Sequence, residues 1–175
     1  EEFAPGWKPQ NSDLSWHGKV SLRTALARSI NIPTIKLARE VGVDKIINNA
    51  EKMGISTLVD SGAYSDVNLA MSIGGLTKGV NPLEMAAAYG VLSTNGIYCK
   101  PIALLKIVDR SGKVLYEANT QSKRVIDAKS AYLTTNMLED VLTRGTAGGM
   151  GIGRPAAGKT GTTDTFIDAW FVGYT

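Results

Sequence analysis

One cysteine and one histidine stand in these 175 residues, and the two scarcities exclude a good deal. Cys99 has no partner for an intrachain disulfide. A lone His17 and a lone Cys99 cannot build a zinc site from His and Cys ligands. A single free thiol is most simply a small buried side chain. Charge is nearly balanced, with 19 Lys+Arg against 16 Asp+Glu, and no dense basic cluster is present, so nucleic acid is not an expected partner. No apolar run is long enough to cross a bilayer. The opening Glu1-Glu2-Phe3 does not read as a signal peptide, so any membrane attachment is expected outside this stretch. The last residues, Phe171-Val172-Gly173-Tyr174-Thr175, run through an apolar, strand-like segment, and the chain reads as a portion of something longer. What is present, 43% hydrophobic and 20% charged residues, is the composition of a globular domain.

Pro5, Gly6, Pro9 and Gly18 mark residues 1–20 as loop. Helical spacing begins near Ser21 with Leu22, Ala25 and Leu26, and Ser29-Ile30-Asn31 interrupts it. Pro33 suits the first turn of a second helix, where its missing N–H costs nothing; Ile35, Ala38 and Val41 form its apolar side. Asp44 is a candidate cap for a third helix with Ile46, Ala50 and Met53 facing inward and Gly54 as its stop. Asn81-Pro82-Leu83-Glu84 combines an N-cap, a proline at the first position and an acid at the third. Leu83, Ala86, Ala87, Gly90 and Val91 follow at core spacing until Asn95-Gly96. Residues 102–109 and 113–118 read as strands around a Ser111-Gly112 turn. Asp127 caps a last helix, with Leu133, Met137 and Val141 on one face, that ends at Gly145. Ala156 to Thr163 and Ile167 to Tyr174 read as a second strand pair turning near Asp164-Thr165. Helices, hairpin, helix, hairpin predict an α+β layout with an antiparallel sheet.

Gly153-Arg154-Pro155-Ala156-Ala157-Gly158-Lys159-Thr160 satisfies the G-x-x-x-x-G-K-[ST] pattern of a phosphate-binding loop in full. That loop works only with a strand before it and a helix after it, because the helix N-terminus holds the phosphates. Thr160-Gly161-Thr162-Thr163 is a poor helix start, and the preceding stretch is rich in glycine. As a strand, the same residues alternate: Lys159 and Gly161 face one way, Thr160 and Thr162 the other. Beside a cleft, Gly161 would admit a substrate backbone, and a lysine with threonine hydroxyls can bind a carboxylate. An ordinary hairpin with exposed threonines is the plainer alternative. Ser29 and Asn31 likewise have a plain reading, as residues that end one helix and begin the next.

Taken together, S-x-N at Ser29 to Asn31 and K-T-G-T at Lys159 to Thr162 form, in order, two of the three signature elements of serine β-lactamases and penicillin-binding proteins. The stretch from Val20 to Pro33 resembles the second-motif helix and loop of class A penicillin-binding transpeptidase domains. Gly79 to Ala86 resembles their next long helix, and Gly153 to Thr163 with Asp168 to Tyr174 resembles their third-motif strand pair. The resemblance runs over nearly the whole chain. It implies an α+β, β-lactamase/transpeptidase-like fold in which an antiparallel sheet is flanked by a helical subdomain, here incomplete. No serine in the sequence has a lysine three residues on. The nucleophile motif S-x-x-K is therefore expected upstream, with residues 1–175 beginning after it and ending within the strand that follows K-T-G-T.

The resemblance implies acyl transfer. A serine attacks a terminal D-alanyl-D-alanine peptide, and an amine of a neighbouring peptidoglycan stem peptide then takes the acyl group; β-lactam antibiotics mimic the first substrate. Ser29 relays protons, Asn31 holds the peptide carbonyl and Lys159 supplies positive charge. Thr160, Gly161, Thr162 and Thr163 line the substrate, with Thr160 and Thr162 on its carboxylate and the Thr162 N–H in the oxyanion hole. Asp164 to Ile167 would rim the cleft, with Phe166 against substrate or sheet. No metal or nucleotide is called for. The partner expected is the upstream segment of the same protein, and the location is the outer face of the bacterial cytoplasmic membrane, through an anchor elsewhere. Two alternatives stay open: a non-acylating binding or sensor module, and a serine β-lactamase.

Overall fold

A computed structural model describes residues 1–163 and 167–175. The turn expected at Asp164-Thr165 and the role considered for Phe166 lie outside the described residues. Five helices are present: α1 Leu22–Ala27, α2 Asn31–Val41, α3 Val43–Lys52, α4 Pro82–Ser93 and α5 Ala128–Arg144. Six short strands pair antiparallel in twos: β1 Ile97–Cys99 with β4 Ser122–Arg124, β2 Lys106–Val108 with β3 Val114–Glu117, and β5 Ala157–Thr162 with β6 Ala169–Tyr174. The α+β expectation holds, with three short antiparallel sheets rather than one.

The helix starts follow their caps. The Asn81 side chain accepts the Glu84 N–H, and Asp127 accepts that of Ser130. Glu84 does not return to its own cap; its carboxylate takes the Ser56 N–H at 3.0 Å and hydroxyl at 2.6 Å, pinning the segment after α3. Asp44 is not a cap. Gly42, at φ +95°, is the single residue between α2 and α3, and Asp44 falls in the first turn of α3. The phase of two apolar faces also differs from expectation. In α4 the buried residues are Ala88, Val91 and Leu92 while Leu83 is exposed; in α5 they are Ala131, Leu138, Val141 and Leu142 while Leu133 is exposed. Val41 is exposed at the end of α2. Cys99 is exposed, not buried.

The main core joins Leu92 of α4, Leu138, Val141 and Leu142 of α5, Ala147 and Ala157 of β5. Tyr174 of β6 closes it, edge-on to Tyr89 and hydrogen bonded to Thr135 at 2.8 Å. The loop after α3 is organised by Asp66, which is almost fully buried and accepts the N–H groups of Val59 and Thr77 at 2.8 and 2.7 Å. These bonds hold its carboxyl below the usual range.

Two contacts lock α1 against α5. Arg23 donates to Asp140 at 2.9 Å and to the Asn136 carbonyl and side chain at 3.0 and 2.7 Å. Arg144 donates to the same Asp140 oxygen at 2.6 Å. Bonds from Arg144 and then Arg23 lower the Asp140 carboxyl from 3.8 to about 2. Because the folded value is the lower one, the stabilisation is present above about pH 4 and fades as pH falls toward 2. Asp140→Asn should cost about 1–2 kcal/mol at pH 7, allowing for solvent screening at a partly exposed site, and close to nothing at pH 2. Urea denaturation of both proteins at the two pH values measures this, and an equal loss at both would remove the ion pair from the account.

The folded chain exposes 11646 Å², where a compact monomer of this length shows about 8,200 Å² by the usual size scaling. The excess sits partly on the strand pairs: Trp170 and Phe171 of β6 and most of β2 and β3 are open to solvent.

Candidate functional site

The two motifs separated by 130 residues meet. Lys159 Nζ donates to Ser29 Oγ at 2.7 Å and to the Thr160 carbonyl at 2.9 Å. The strand Ala157–Thr162 carries Lys159 in, and the end of α1 carries Ser29. With a strand, not a helix, following Gly158, the phosphate-loop reading of Gly153 to Thr160 fails on its structural requirement.

Ser29 sits at φ +54°, the left-handed region that a non-glycine residue enters at some cost. The cause is how α1 ends. Ile30 N–H reaches the Ala25 carbonyl at 2.9 Å and Ser29 N–H the Leu26 carbonyl at 3.1 Å, the paired bonds of a Schellman terminus. α3 and α4 end the same way, with Gly54 and Asn95 in the left-handed position. Those are the residue types that suit it. At the third such terminus a serine stands instead, and its hydroxyl meets the lysine. A residue held in a disfavoured conformation where its side chain makes a specific contact is the usual mark of a functional position.

Burial pushes the Lys159 ammonium below the ordinary lysine value. Its donation into Ser29 Oγ leaves the serine proton free to point elsewhere, so the hydroxyl can accept from one side and donate to the other. That is the connectivity of a proton relay.

The other expected site residues are placed as follows. Asn31 opens α2, and its amide donates to the Gln10 carbonyl at 2.9 Å, which ties it to the leading loop. Asn11, itself buried, caps the adjoining Ile32 N–H at 3.0 Å and holds the same loop through the Ser15 carbonyl. Thr160 meets the hydroxyl of Thr146 at 2.5 Å. Thr163 is drawn into the hairpin: its N–H reaches the Asp168 carbonyl, and its hydroxyl accepts the Asp168 N–H, both at 3.1 Å. Thr162 is exposed on β5, paired with Ala169. Gly161 faces open space; a methyl group there would meet only Trp170 Cβ, at 4.0 Å. Gly158, three residues earlier, has no such room, because a methyl group would overlap Phe171 and stand 2.7 Å from the Val172 carbonyl.

Thr146 is the site neighbour that sequence reasoning did not identify. It follows α5 directly, its N–H bonds the Ala27 carbonyl at 3.0 Å, and its hydroxyl reaches Thr160, so it links α1, α5 and β5 at one point. The available signal was a threonine between Gly145 and the glycine-rich stretch. No cluster of His, Cys, Asp or Glu suited to a metal occurs among the described residues.

Residues 2–175 match the family described as the penicillin binding protein transpeptidase domain. Penicillin-binding protein 1A of Clostridium botulinum (strain Hall) is 40% identical over 171 residues, covering 97% of this chain and 20% of the relative. Among solved structures, the penicillin-binding protein PonA1 from Mycobacterium tuberculosis superposes with a TM-score of 0.84 at 27% identity, over 98% of this chain and 49% of that one. The same protein in complex with penicillin V gives 0.80 at 27% identity, over 95% and 47%. The chain spans about a fifth of the length of the curated relatives it matches.

Proposed function

Since the chain belongs to the penicillin-binding protein transpeptidase domain family, we propose that it supplies two of the three catalytic elements of a penicillin-sensitive D,D-transpeptidase that crosslinks peptidoglycan stem peptides. The observation that carries this reading is the 2.7 Å contact between Lys159 Nζ and Ser29 Oγ, which joins the second and third motifs into one site.

In the proposed reaction a serine outside these residues, within S-x-x-K of the same protein, attacks the carbonyl of the D-alanyl-D-alanine bond. Its proton passes to the lysine of that motif. The tetrahedral intermediate expels D-alanine, whose amine is protonated through Ser29. Lys159 keeps a positive field on Ser29 and fixes which way its proton points. Asn31 orients the peptide carbonyl with the hydrogen-bonding capacity left after its bond to Gln10. Thr160 and Thr162 hold the terminal carboxylate, Thr163 braces the strand end, and the open space at Gly161 receives the substrate backbone. The Thr162 N–H forms one arm of the oxyanion hole. An incoming stem-peptide amine completes the transfer, and a β-lactam stops at the acyl-enzyme. The large exposed surface supports a companion segment of the same protein covering these residues. A membrane anchor in another segment would place the site on the outer face of the cytoplasmic membrane; no helix among the described residues is long and apolar enough to serve.

Intact mass spectrometry with and without a penicillin tests the reading on residues 1–175 alone and together with the segment that carries S-x-x-K. The expected adduct lies on the S-x-x-K polypeptide and never on residues 1–175. An adduct on this chain would overturn the assignment of the nucleophile. A folded pair that takes up no penicillin would favour the non-acylating binding module, and rapid turnover of the adduct a β-lactamase.

A further inference from the structure

Between α4 and α5 the chain makes a long two-stranded ribbon. β1 and β4 form its base, β2 and β3 its shaft, and the turn at Asp109 to Lys113 its tip. The tip is firmly built: Asp109 Oδ1 accepts the N–H groups of Ser111 and Lys113 at 2.8 and 2.9 Å and the Ser111 hydroxyl at 2.6 Å. The shaft, by contrast, has nothing packed on it. Leu104, Leu105, Ile107, Val108, Leu115 and Tyr116 are all exposed, and they lie on both faces, since Ile107 pairs with Tyr116 while Val108 points the other way. Among the described residues neither β2 nor β3 has a second strand neighbour, so both outer edges are free. A two-stranded ribbon with apolar side chains on both faces is marginal in water, and a free apolar edge is a template for another strand.

The charges around the shaft are arranged with it. Residues 100–124 hold six Lys/Arg and two Asp/Glu, whereas the whole chain holds 19 and 16. Both acids are engaged internally, Asp109 in the turn and Glu117 with Lys106 at 3.7 Å. Lys100 and Lys123 at the base, with Arg110 and Lys113 at the tip, have no carboxylate partner among the described residues. The shaft carries no uncompensated charge that would blunt its edge, while cations flank it at both ends. From this pattern we infer that the ribbon is a docking site for an extended segment of a partner protein, apolar in its centre and acidic at both ends, which adds a strand to one of the free edges. Backbone pairing would supply affinity and the flanking cations would set register and partner choice. The charged tip and the two-sided apolar shaft fit a strand better than a lipid surface, which takes apolar groups from one side or end.

The test uses the 175-residue chain and a fluorescein-labelled peptide, Glu-Asp-Val-Ile-Val-Ile-Asp-Glu, followed by anisotropy and by amide chemical shifts. The expected result is binding that shifts amides within residues 104–118 and leaves those of Ser29 and Lys159 unmoved. Arg110→Glu with Lys113→Glu should weaken it at least about tenfold, as charge reversal at a complementary contact does. Both residues lie in an exposed turn; should that variant not fold, the peptide with Lys and Arg in place of its acids makes the same test on the native chain, and must not bind. Binding to phosphatidylglycerol vesicles without binding to the peptide would overturn the inference in favour of a membrane surface. Absence of binding to either, or peptide binding elsewhere on the chain, would overturn it outright. None of these outcomes touches the penicillin adduct, which rests on different residues.

Discussion

Replacing Lys159 by alanine should slow acylation by a fluorescent penicillin about 100- to 1000-fold in the protein that also carries S-x-x-K, the size of effect seen when one aligned electrostatic partner is removed from an acyl-transfer site. The expectation rests on geometry. One ammonium serves both Ser29 Oγ at 2.7 Å and the Thr160 carbonyl at 2.9 Å, so its loss frees the relay and the strand end together. Lys159→Arg retains charge but replaces a compact point donor by a planar fork, and should recover only part of the rate. Wild-type acylation should fall on the alkaline side at a pH below the ordinary lysine value, because burial lowers the pKa and deprotonation silences the donor. Stopped-flow acylation across pH measures all three. A Lys159→Ala rate within threefold of wild type would detach Lys159 from the chemistry.

Gly145→Ala carries the second large effect, and it begins away from the site. The α-carbon of Gly145 lies so close to α1 that a methyl group would overlap the Ala27 carbonyl and stand 2.7 Å from Val141 Cα. Both obstacles are backbone, which cannot rotate aside. Overpacking of this kind costs about 1–3 kcal/mol and sometimes more. The displaced element is α1, whose end carries Ser29. The variant should therefore lose at least about 2 kcal/mol in urea unfolding and also acylate more slowly than its folded fraction explains. Loss of stability with an unchanged rate per folded molecule would show that α1 can move without moving Ser29.

Much of this was written in the sequence wherever one residue type has one physical use. Asn81 and Asp127 announced their helices because their side chains can cap and the residues after them can propagate. Lys159 to Thr162 announced a strand because threonines and glycine cannot start a good helix. Other features depended on partners the sequence does not name. Leu83 and Leu133 have core spacing, but the phase of a helix is set by what packs on it, and α4 and α5 turn Ala88 and Leu138 inward instead. Strands β1 and β4 are three residues each, too short for an alternation to register. Ser29 in the left-handed position and Thr146 beneath Thr160 became visible only in three dimensions: the first because serine rarely occupies that position, the second because Thr146 and Thr160 meet through a fold and not a motif.

The Lys159–Ser29 contact also bears on how the protein is made. Its two ends are 130 residues apart, so the loop that must close is most of the chain. Contacts of such separation form late, after local helices and hairpins have shortened the effective loop. A ribosome releases Ser29 long before Lys159, and throughout that interval α1 to α4 can fold while the site does not exist. Penicillin binding then reports on folding to the last strand pair. A nascent or misfolded chain with native helices and a loose β5 would pass any test of secondary structure and still take up no drug.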